Sequence, residues 1–348
     1  MQRDEIRTRL EELWQKQTLA GAWLFSGPEG LGKATLAIEL AEYILAGGTY
    51  ANQTVKSQVA TASHPDMLLI RRGLTDKEKK ERQKIVDSGK ALDDKTEAER
   101  SRNPFITVDD IRGIDGFIHM SASGSSSWKV VIIDSADEMN INAANAVLKV
   151  LEEPPSQTVM ILISHNPAKL LPTILSRCRK ASFSPLSETE VAEVLRKTNP
   201  ELSASEITTL SRLAEGSPGK AISLLSADAL SVFGGLLRLF SDFPKVNAAD
   251  FYKFAEKYEK DELAYTTLKD LYITWLYRLI RMQAAGEMEA PITDEEQAVS
   301  SRVISLADKE KLLGLWEKST VLFNQADNLY LDKKQVMVNS LLELSSCL

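Results

Sequence analysis

The clearest chemistry in this sequence lies in a short glycine-rich stretch, "GPEGLGKATLA", at residues 27–37. Gly27, four further residues, then Gly32 and Lys33 reproduce the spacing of a phosphate-binding loop. In such a loop, glycines let backbone N–H groups surround an anion, and the lysine neutralises its outer phosphates. Gly27, Gly30, Gly32 and Lys33 are therefore candidate nucleotide-binding residues. The alternative interpretation, a glycine-rich turn that binds nothing, is disfavoured by the apolar run before the loop and the helical pattern after it.

Mg²⁺ binding is the function for which this loop is poorly equipped. The position after the lysine normally carries a hydroxyl that binds Mg²⁺, and here it is Ala34. Thr35 follows about 100° further around the predicted helix, so it is a poor substitute in the same geometry. Thr35 is still included among the candidate nucleotide-binding residues, and weak Mg²⁺ dependence is expected if binding occurs.

A second candidate element is the apolar run "VVIIDSAD", which ends in Asp134. A strand ending in a carboxylate is what a nucleoside triphosphatase uses to position Mg²⁺. Hydrolysis often needs another carboxylate beside it, but that neighbour is Ser135, whose hydroxyl is not basic enough. Asp137 and Glu138 lie further on and are best interpreted as acids at a helix N-terminus. The other interpretation is an active site of unusual geometry that uses Thr35 and Asp137.

Arg177, in "ILSRCRK", is a third candidate. An arginine ahead of a short strand often does no more than pair with a carboxylate. At the edge of a nucleotide-hydrolysing domain it can instead reach a neighbouring subunit's site as an arginine finger, an effect worth about 10³–10⁵ in rate.

The elements that must position these residues alternate between strand and helix. Apolar runs in "GAWLFSG", "DMLLIRR", "WKVVIID" and "TVMILIS" predict buried strands, with a last strand near "KASF". Helical patterns separate them, so the fold class is α/β with a parallel, doubly wound sheet through about residue 183.

Three domains are predicted. They are an α/β domain at 1–184, a small helical unit at 185–226 and an all-helical domain at 227–348, with Trp275, Tyr277 and Trp316 in its core. A charged stretch at 71–102, with 11 basic and 8 acidic residues, interrupts the first domain. It is expected to be a solvated helical or disordered insertion, and a nucleic-acid arm is the less favoured alternative because its signs are mixed.

The composition of the chain argues against two classes of function, general binding to duplex DNA and a membrane-spanning role. The net charge is −7, from 42 basic and 49 acidic residues, so binding to duplex DNA by this chain alone requires a concentrated local basic face. No apolar run is long enough to span a membrane. Cys178 and Cys347 are far apart and are expected to be reduced thiols in a cytoplasmic protein. The three histidines are scattered and expected to be structural.

Together these motifs resemble AAA+ clamp-loader subunits. "GPEGLGKATLA", "HPD" at 64–66, "NAANAVLKVLEEPP", "LLPTILSRC" and "EGSPGKA" occur in that family's order. The resemblance covers about residues 5–226, and the remainder is similar only in being helical. It implies an AAA+ P-loop domain, a helical lid at 185–226 and a collar-type oligomerisation domain at 227–348. Among bacterial DNA polymerase III clamp-loader subunits the similarity is greatest to the delta-prime type.

Three positions at which this chain differs from the gamma/tau-type ATPase subunits of the family, the motor subunits, favour the delta-prime type. The motors carry a hydroxyl after the loop lysine, a glutamate after the strand aspartate and an arginine in the lid, where this chain has Ala34, Ser135 and Gly219 with Lys220 alongside. Arg177 is retained. In this family a polar residue ending the "ILIS" strand can sense the γ-phosphate, and Ser164 or His165 is at that position. An ordinary strand-end polar residue is an equally good interpretation.

For such a subunit the resemblance implies assembly with gamma/tau-type ATPase subunits and a delta subunit in a heteropentamer. That complex loads the sliding clamp onto primer-template DNA. Arg177 acts in trans, no cofactor is required, and ATP or ADP binding is weak or vestigial. The four-cysteine zinc module of some relatives is not expected, because residues 45–70 contain no cysteine. Two alternatives remain open: a catalytically active gamma/tau-like ATPase, and tight nucleotide binding without hydrolysis.

Overall fold

A computed structural model of the chain describes residues 2–75, 78, 80, 84, 102–123, 126–285, 290–329 and 331–347. The chain divides into two compact units, Met1–Pro185 and Leu186–Leu348. Most of the predicted insertion at 71–102 lies outside the described residues.

The first unit is built on a parallel five-stranded sheet in the order β2-β3-β4-β1-β5. The strands are β1 (Ala22–Ser26), β2 (Met67–Ile70), β3 (Lys129–Asp134), β4 (Thr158–Ser164) and β5 (Arg179–Ser182). The helices of this unit are α1 (Arg3–Gln15), α2 (Lys33–Leu45), α3 (Gln53–Ala60), α4 (Val108–His119), α5 (Ile141–Glu152) and α6 (Pro172–Arg177). The predicted α/β class and parallel sheet are confirmed.

Alternate residues of the central strands point to opposite faces of the sheet. Val130 and Ile132 belong to the apolar cluster beneath α1 and α2, whereas Val131 and Ile133 belong to the cluster beneath α4 and α5. All four are fully buried. This double coverage explains why the strand is apolar without alternation.

The regular secondary structure in the described residues of the second unit is all helical. Its helices are α7 (Glu188–Thr198), α8 (Ala204–Leu213), α9 (Pro218–Ser226), α10 (Ala229–Leu239), α11 (Ala248–Tyr258), α12 (Glu262–Ala285), α13 (Asp294–Leu306), α14 (Lys309–Leu329) and α15 (Lys333–Glu343). One apolar cluster runs from Val191 to Cys347, so the lid and collar predicted at 185–226 and 227–348 share a core here. Their separation into two domains stays a prediction.

The predicted core aromatics of this unit differ in burial. Trp275 is fully buried and donates from its indole nitrogen to the Ser300 hydroxyl at 3.0 Å. Tyr277 is 43% exposed, so placing it in the core was wrong. It lies two residues from Trp275 on α12 and thus on a different side of the helix, where it packs against Trp316 with ring centroids 5.9 Å apart.

Among the described helices, none is by itself long and apolar enough to cross a membrane; the bent pair Pro218–Ser226 and Ala229–Leu239 meets the criteria only when taken together.

A candidate phosphate-binding site

The glycine-rich loop connects β1 to α2 at the carboxyl edge of the sheet. Three of its residues have positive φ: Gly27 at 145°, Gly30 at 76° and Gly32 at 76°. Residues other than glycine adopt these backbone conformations only at a cost in conformational free energy, so the three glycines determine the path of the loop. Gly32 is the N-cap of α2, whose first N–H groups have no acceptor within the helix. The predicted loop is therefore present in a shape that suits an anion.

Close packing fixes the start of the loop. A Cβ on Gly27 would lie 2.4 Å from the carbonyl oxygen of Phe183, which follows β5. The Gly27 N–H donates to the carbonyl of Ser164 at the end of β4, at 3.3 Å. The loop is thus held between the carboxyl ends of both strands that neighbour β1.

Lys33 turns back onto its own loop. Its amine donates to the carbonyl oxygens of Gly27 at 2.6 Å and Pro28 at 2.5 Å. The side chain is 3% exposed. Burial lowers the pKa of Lys33 to about 8, and the nearby carboxylates of Glu29, Asp137 and Asp134 oppose that shift. The lysine is therefore held beside the carboxylates predicted to share its site.

The two positions after Lys33 face different surroundings. Ala34 is half-buried and packs against the apolar cluster beneath α1 and α2, whereas Thr35 is exposed. No binding role of Thr35 follows from this geometry, and the prediction made for it is untested.

Asp134 lies at the end of β3 and is paired with a residue that sequence reasoning missed. Arg71 Nε donates to Asp134 Oδ2 at 3.1 Å. The parallel register places Ile70 beside Ile133, so the next residues, Arg71 and Asp134, are neighbours. The signal in the sequence was a charged residue at the carboxyl end of each of two apolar runs, but the adjacency of the two strands is needed to interpret it.

Ser135, next to Asp134, is buried, and its hydroxyl group is hydrogen-bonded. Its hydroxyl lies 2.9 Å from His165 Nε2 and donates to Asp134 Oδ1 at 3.3 Å. The hydroxyl of Ser164, at the end of β4, is fully buried and has no hydrogen-bond partner among the described residues, and the same holds for His165 Nδ1. Such groups are uncommon and often mark a ligand site. A phosphate-sensing role for Ser164 or His165 stays a prediction.

Asp137 is an acid in the first turn of a helix, as the sequence predicted, although that helix is short and precedes α5. It lies in a 3₁₀ turn, Ala136–Glu138, and accepts hydrogen bonds from the backbone N–H groups of His165 at 3.0 Å and Asn166 at 3.2 Å. Both of its oxygens therefore hold the segment after β4, and the N-cap of α5 is Asn140 instead.

Glu138 is paired as well, with Arg72 Nε 3.0 Å from its carboxylate. Burial raises the pKa of Glu138, and Arg72 opposes that shift. Arg72 is a second basic residue after β2 that sequence reasoning did not assign to the site.

Arg177 ends α6 and forms the intrachain pair that the simpler interpretation predicts. Its guanidinium donates to Glu152 Oε1 at 2.6 Å and to the carbonyl of Thr173 at 3.0 Å. The Arg177 side chain is 31% exposed and that of Glu152 52%. Beside it, burial raises the pKa of Cys178 to about 11, so this thiol is protonated and inert at neutral pH.

Other predicted residues have local roles. His64 is buried, and its Nδ1 accepts from the Asp66 N–H at 3.1 Å, which confirms that it shapes the turn before β2. Lys220, in the second unit, donates to Glu215 at 2.7 Å. Among the described residues no three His, Cys, Asp or Glu side chains form a group that could hold a metal ion. The expectation of no zinc site stays a prediction.

Comparisons with known proteins identify relatives of this chain. A family model described as DNA polymerase III, delta subunit, matches residues 2–187. The chain is 34% identical over 204 residues to the DNA polymerase III subunit delta' of Pseudomonas aeruginosa, covering 57% of this chain and 54% of that protein. It is 30% identical over 202 residues to the Bacillus subtilis subunit delta', covering 55% and 52%. The chain therefore spans about half the length of these relatives.

Two further comparisons are more distant. The DNA polymerase III subunit tau of Bacillus subtilis is 27% identical over 241 residues, which are 68% of this chain and 38% of that protein. A solved structure of a DNA polymerase III gamma subunit-related protein from Thermotoga maritima aligns with 18% identity and a TM-score of 0.45, covering 100% of this chain and 99% of that one.

The family match extends over more than half of the chain and includes the glycine-rich loop, the strand ending in Asp134 and the helix ending in Arg177. The chain belongs to the DNA polymerase III delta-prime subunit family.

Proposed function

We propose that this chain is a stator subunit of a DNA polymerase III clamp loader, deficient in ATP hydrolysis itself. In the proposed assembly it joins gamma/tau-type ATPase subunits and a delta subunit in a cytoplasmic heteropentamer, which loads the sliding clamp onto primer-template DNA. Arg177 completes the ATP site of a neighbouring subunit. The names of the delta' relatives and the tau relative support the assembly partners.

One observation carries the proposed loss of hydrolysis: the two carboxylates in the turn after Asp134, those of Asp137 and Glu138, are both hydrogen-bonded or ion-paired within the chain. The adjacent residue is Ser135, which is bound to His165. Asp137 accepts two backbone N–H groups, and Glu138 is paired with Arg72. A general base must reach and polarise the attacking water, and these contacts compete with that role.

The loop still fits a phosphate better than it fits Mg²⁺. Its glycines and the N-terminus of α2 supply backbone donors, and Lys33 supplies an amine. A nucleotide bound there would bring its own phosphate charge, and Lys33 would have to exchange its loop carbonyls for phosphate oxygens. Ala34 offers no Mg²⁺ ligand, and Asp134 is neutralised by Arg71. We therefore propose weak or vestigial nucleotide binding.

The alternative, an active gamma/tau-like ATPase, draws on the retention of Lys33 and Asp134 close together. It requires Thr35 and Asp137 to bind Mg²⁺ and water. The engagement of both Asp137 oxygens by backbone N–H groups makes this the weaker candidate.

The contact of Arg177 with Glu152 is compatible with a role in trans. Both side chains are partly exposed, and ion pairs of this kind contribute only about 0–1 kcal/mol. Exchanging Glu152 for a phosphate of a neighbouring subunit would therefore cost little, because an arginine forms charge-assisted hydrogen bonds with phosphate as it does with carboxylate.

The experiment is ATP turnover by a reconstituted complex of this chain with the tau-type and delta subunits of the same cell. We expect no turnover by the isolated chain, and a loss of about 10³-fold or more at the neighbouring site in Arg177→Ala. Arg179→Ala, two residues away and exposed, is the matched control and should retain turnover. Robust ATPase activity of the isolated chain, or full activity of the Arg177→Ala complex, would contradict the proposal.

A further inference from the structure

The second unit contains a concave site between α10 and α11. Its volume is about 530 Å³, and it is lined by residues from both helices and from the loop between them. This size is in the range of ligand pockets in proteins. The site is formed within Leu186–Leu348 and contains none of the residues of the phosphate-binding loop.

Four basic side chains surround this α10–α11 pocket: Arg238, Lys245, Lys253 and Lys257. Two carboxylates, Asp242 and Asp250, also line it, so the lining carries two more positive than negative charges. Within the described part of the chain, no carboxylate lies within ion-pair distance of the four basic groups. The chain as a whole has a net charge of −7, so this positive charge is local.

Two further acids, Glu256 near the end of α11 and Glu259 directly after it, are paired with a lysine of another helix. Glu256 and Glu259 both lie against Lys334 of α15, at 3.7 and 3.6 Å. Lys334 therefore offsets part of the negative charge that Glu256, three residues from Lys253, places near Lys253 and Lys257. Those two lysines are four residues apart and thus adjacent on one face of α11, about 5–6 Å apart at Cβ.

Two aromatic side chains, Phe254 and Tyr258, also line the pocket. Phe254 is half-buried, and a Cβ on Gly235 of α10 would lie 2.7 Å from its ring, so the glycine admits the ring against the α10 backbone. The ring of Phe254 packs edge-on against Tyr258, with centroids 5.1 Å apart, and the Lys257 amine lies 5.1 Å from the Tyr258 ring centroid. Basic side chains beside an aromatic ring are features of a site that binds both phosphates and bases.

We propose that the α10–α11 pocket binds a short segment of single-stranded nucleic acid, with its phosphates on the four basic side chains and a base against Phe254. A pocket of this size admits one or two nucleotides, whereas a stacked duplex offers only its outer phosphates. The aromatic ring of Phe254 in the lining favours nucleic acid over an acidic peptide. This inference does not depend on the proposed role of Arg177 or on ATP hydrolysis.

The test is fluorescence anisotropy of a labelled oligothymidylate of about 10 nucleotides with the full chain, between about 50 and 200 mM salt. Lys253→Glu should weaken binding about tenfold at the lower salt and reduce the dependence of log K on log salt by about one. Lys260→Glu, which makes the same charge change on an exposed lysine outside the pocket lining, should bind like the native chain. Circular dichroism of both variants establishes that they are folded.

Three results would overturn the inference. They are unchanged binding by Lys253→Glu, an equal loss in Lys260→Glu, and competition by polyglutamate as strong as that by unlabelled oligothymidylate. The first would place any binding elsewhere, and the second would assign it to overall charge. The third would identify a general polyanion site. Failure of this test leaves the ATP-turnover experiment unaffected.

Discussion

Lys33 combines two features that usually oppose each other, a charged amine and near-complete burial. The surrounding carboxylates and the two loop carbonyls stabilise the charged form, but burial outweighs them and lowers the pKa to about 8. A lysine with an ordinary pKa of 10.5 in the unfolded chain therefore releases its proton more easily once folded.

The pH dependence of stability follows from this difference at Lys33. Between about pH 8 and pH 10.5 the unfolded chain binds more protons at this residue, so the Lys33 contribution to the free energy of unfolding rises with pH. Below about pH 8 the burial penalty is fully present. We expect the stability gain of Lys33→Met over the native chain to shrink as pH rises through this window, as measured by urea unfolding.

The control for Lys33 is Lys197→Met, a substitution of an exposed lysine in the last turn of α7. Its stability difference from the native chain should stay constant over the same pH range. A Lys33→Met difference that is equally constant, or that grows with pH, would contradict the burial argument.

At the scale of elements, the phosphate-binding loop is determined jointly by glycine conformation and by strand packing. The sequence predicted the glycines from their spacing, and the structure confirms positive φ at all three. The spacing did not reveal why Gly27 has no room for a side chain, because the carbonyl of Phe183 lies 156 residues further along the chain. The approach depends on β5 lying beside β1.

Gly27→Ala should therefore be more destabilising than a glycine substitution that meets only conformational strain. Gly47→Ala is the matched control, since its φ is also positive, at 75°, and a Cβ there meets nothing within 4 Å. We expect Gly27→Ala to lose about 1–3 kcal/mol more than Gly47→Ala in chemical unfolding. Equal losses would mean that the β1–α2 loop shifts without resistance from Phe183.

At the scale of the whole molecule, each of the two units has apolar clusters of its own. The clusters of Met1–Pro185 cover the two faces of the sheet, and that of Leu186–Leu348 runs through the helical unit. A unit with its own core is expected to fold independently.

The fragment 186–348 should therefore fold alone, with helical circular dichroism and a cooperative thermal transition. Trp275→Ala in that fragment removes a fully buried ring and its hydrogen bond to Ser300. We expect it to cost about 3–5 kcal/mol. A fragment without a cooperative transition, or one whose stability is unchanged by Trp275→Ala, would show that folding of the helical unit depends on residues 1–185.

The sequence by itself determined the loop, the order of strands and helices in the first unit and the helical character of the second. These features leave local signals, because burial and backbone geometry repeat with the period of each element. The motifs also indicated the delta-prime family, which the family match confirms.

Only the tertiary structure decided what the functional side chains contact. Arg71 meets Asp134 across 63 residues, Asp137 holds the backbone after β4, and Arg177 pairs with Glu152. The basic α10–α11 pocket likewise needs two helices side by side. Strand order, register and helix packing bring such residues together. The periodicity of the sequence does not predict these contacts, because the separation along the chain of the two contacting residues is set by the fold.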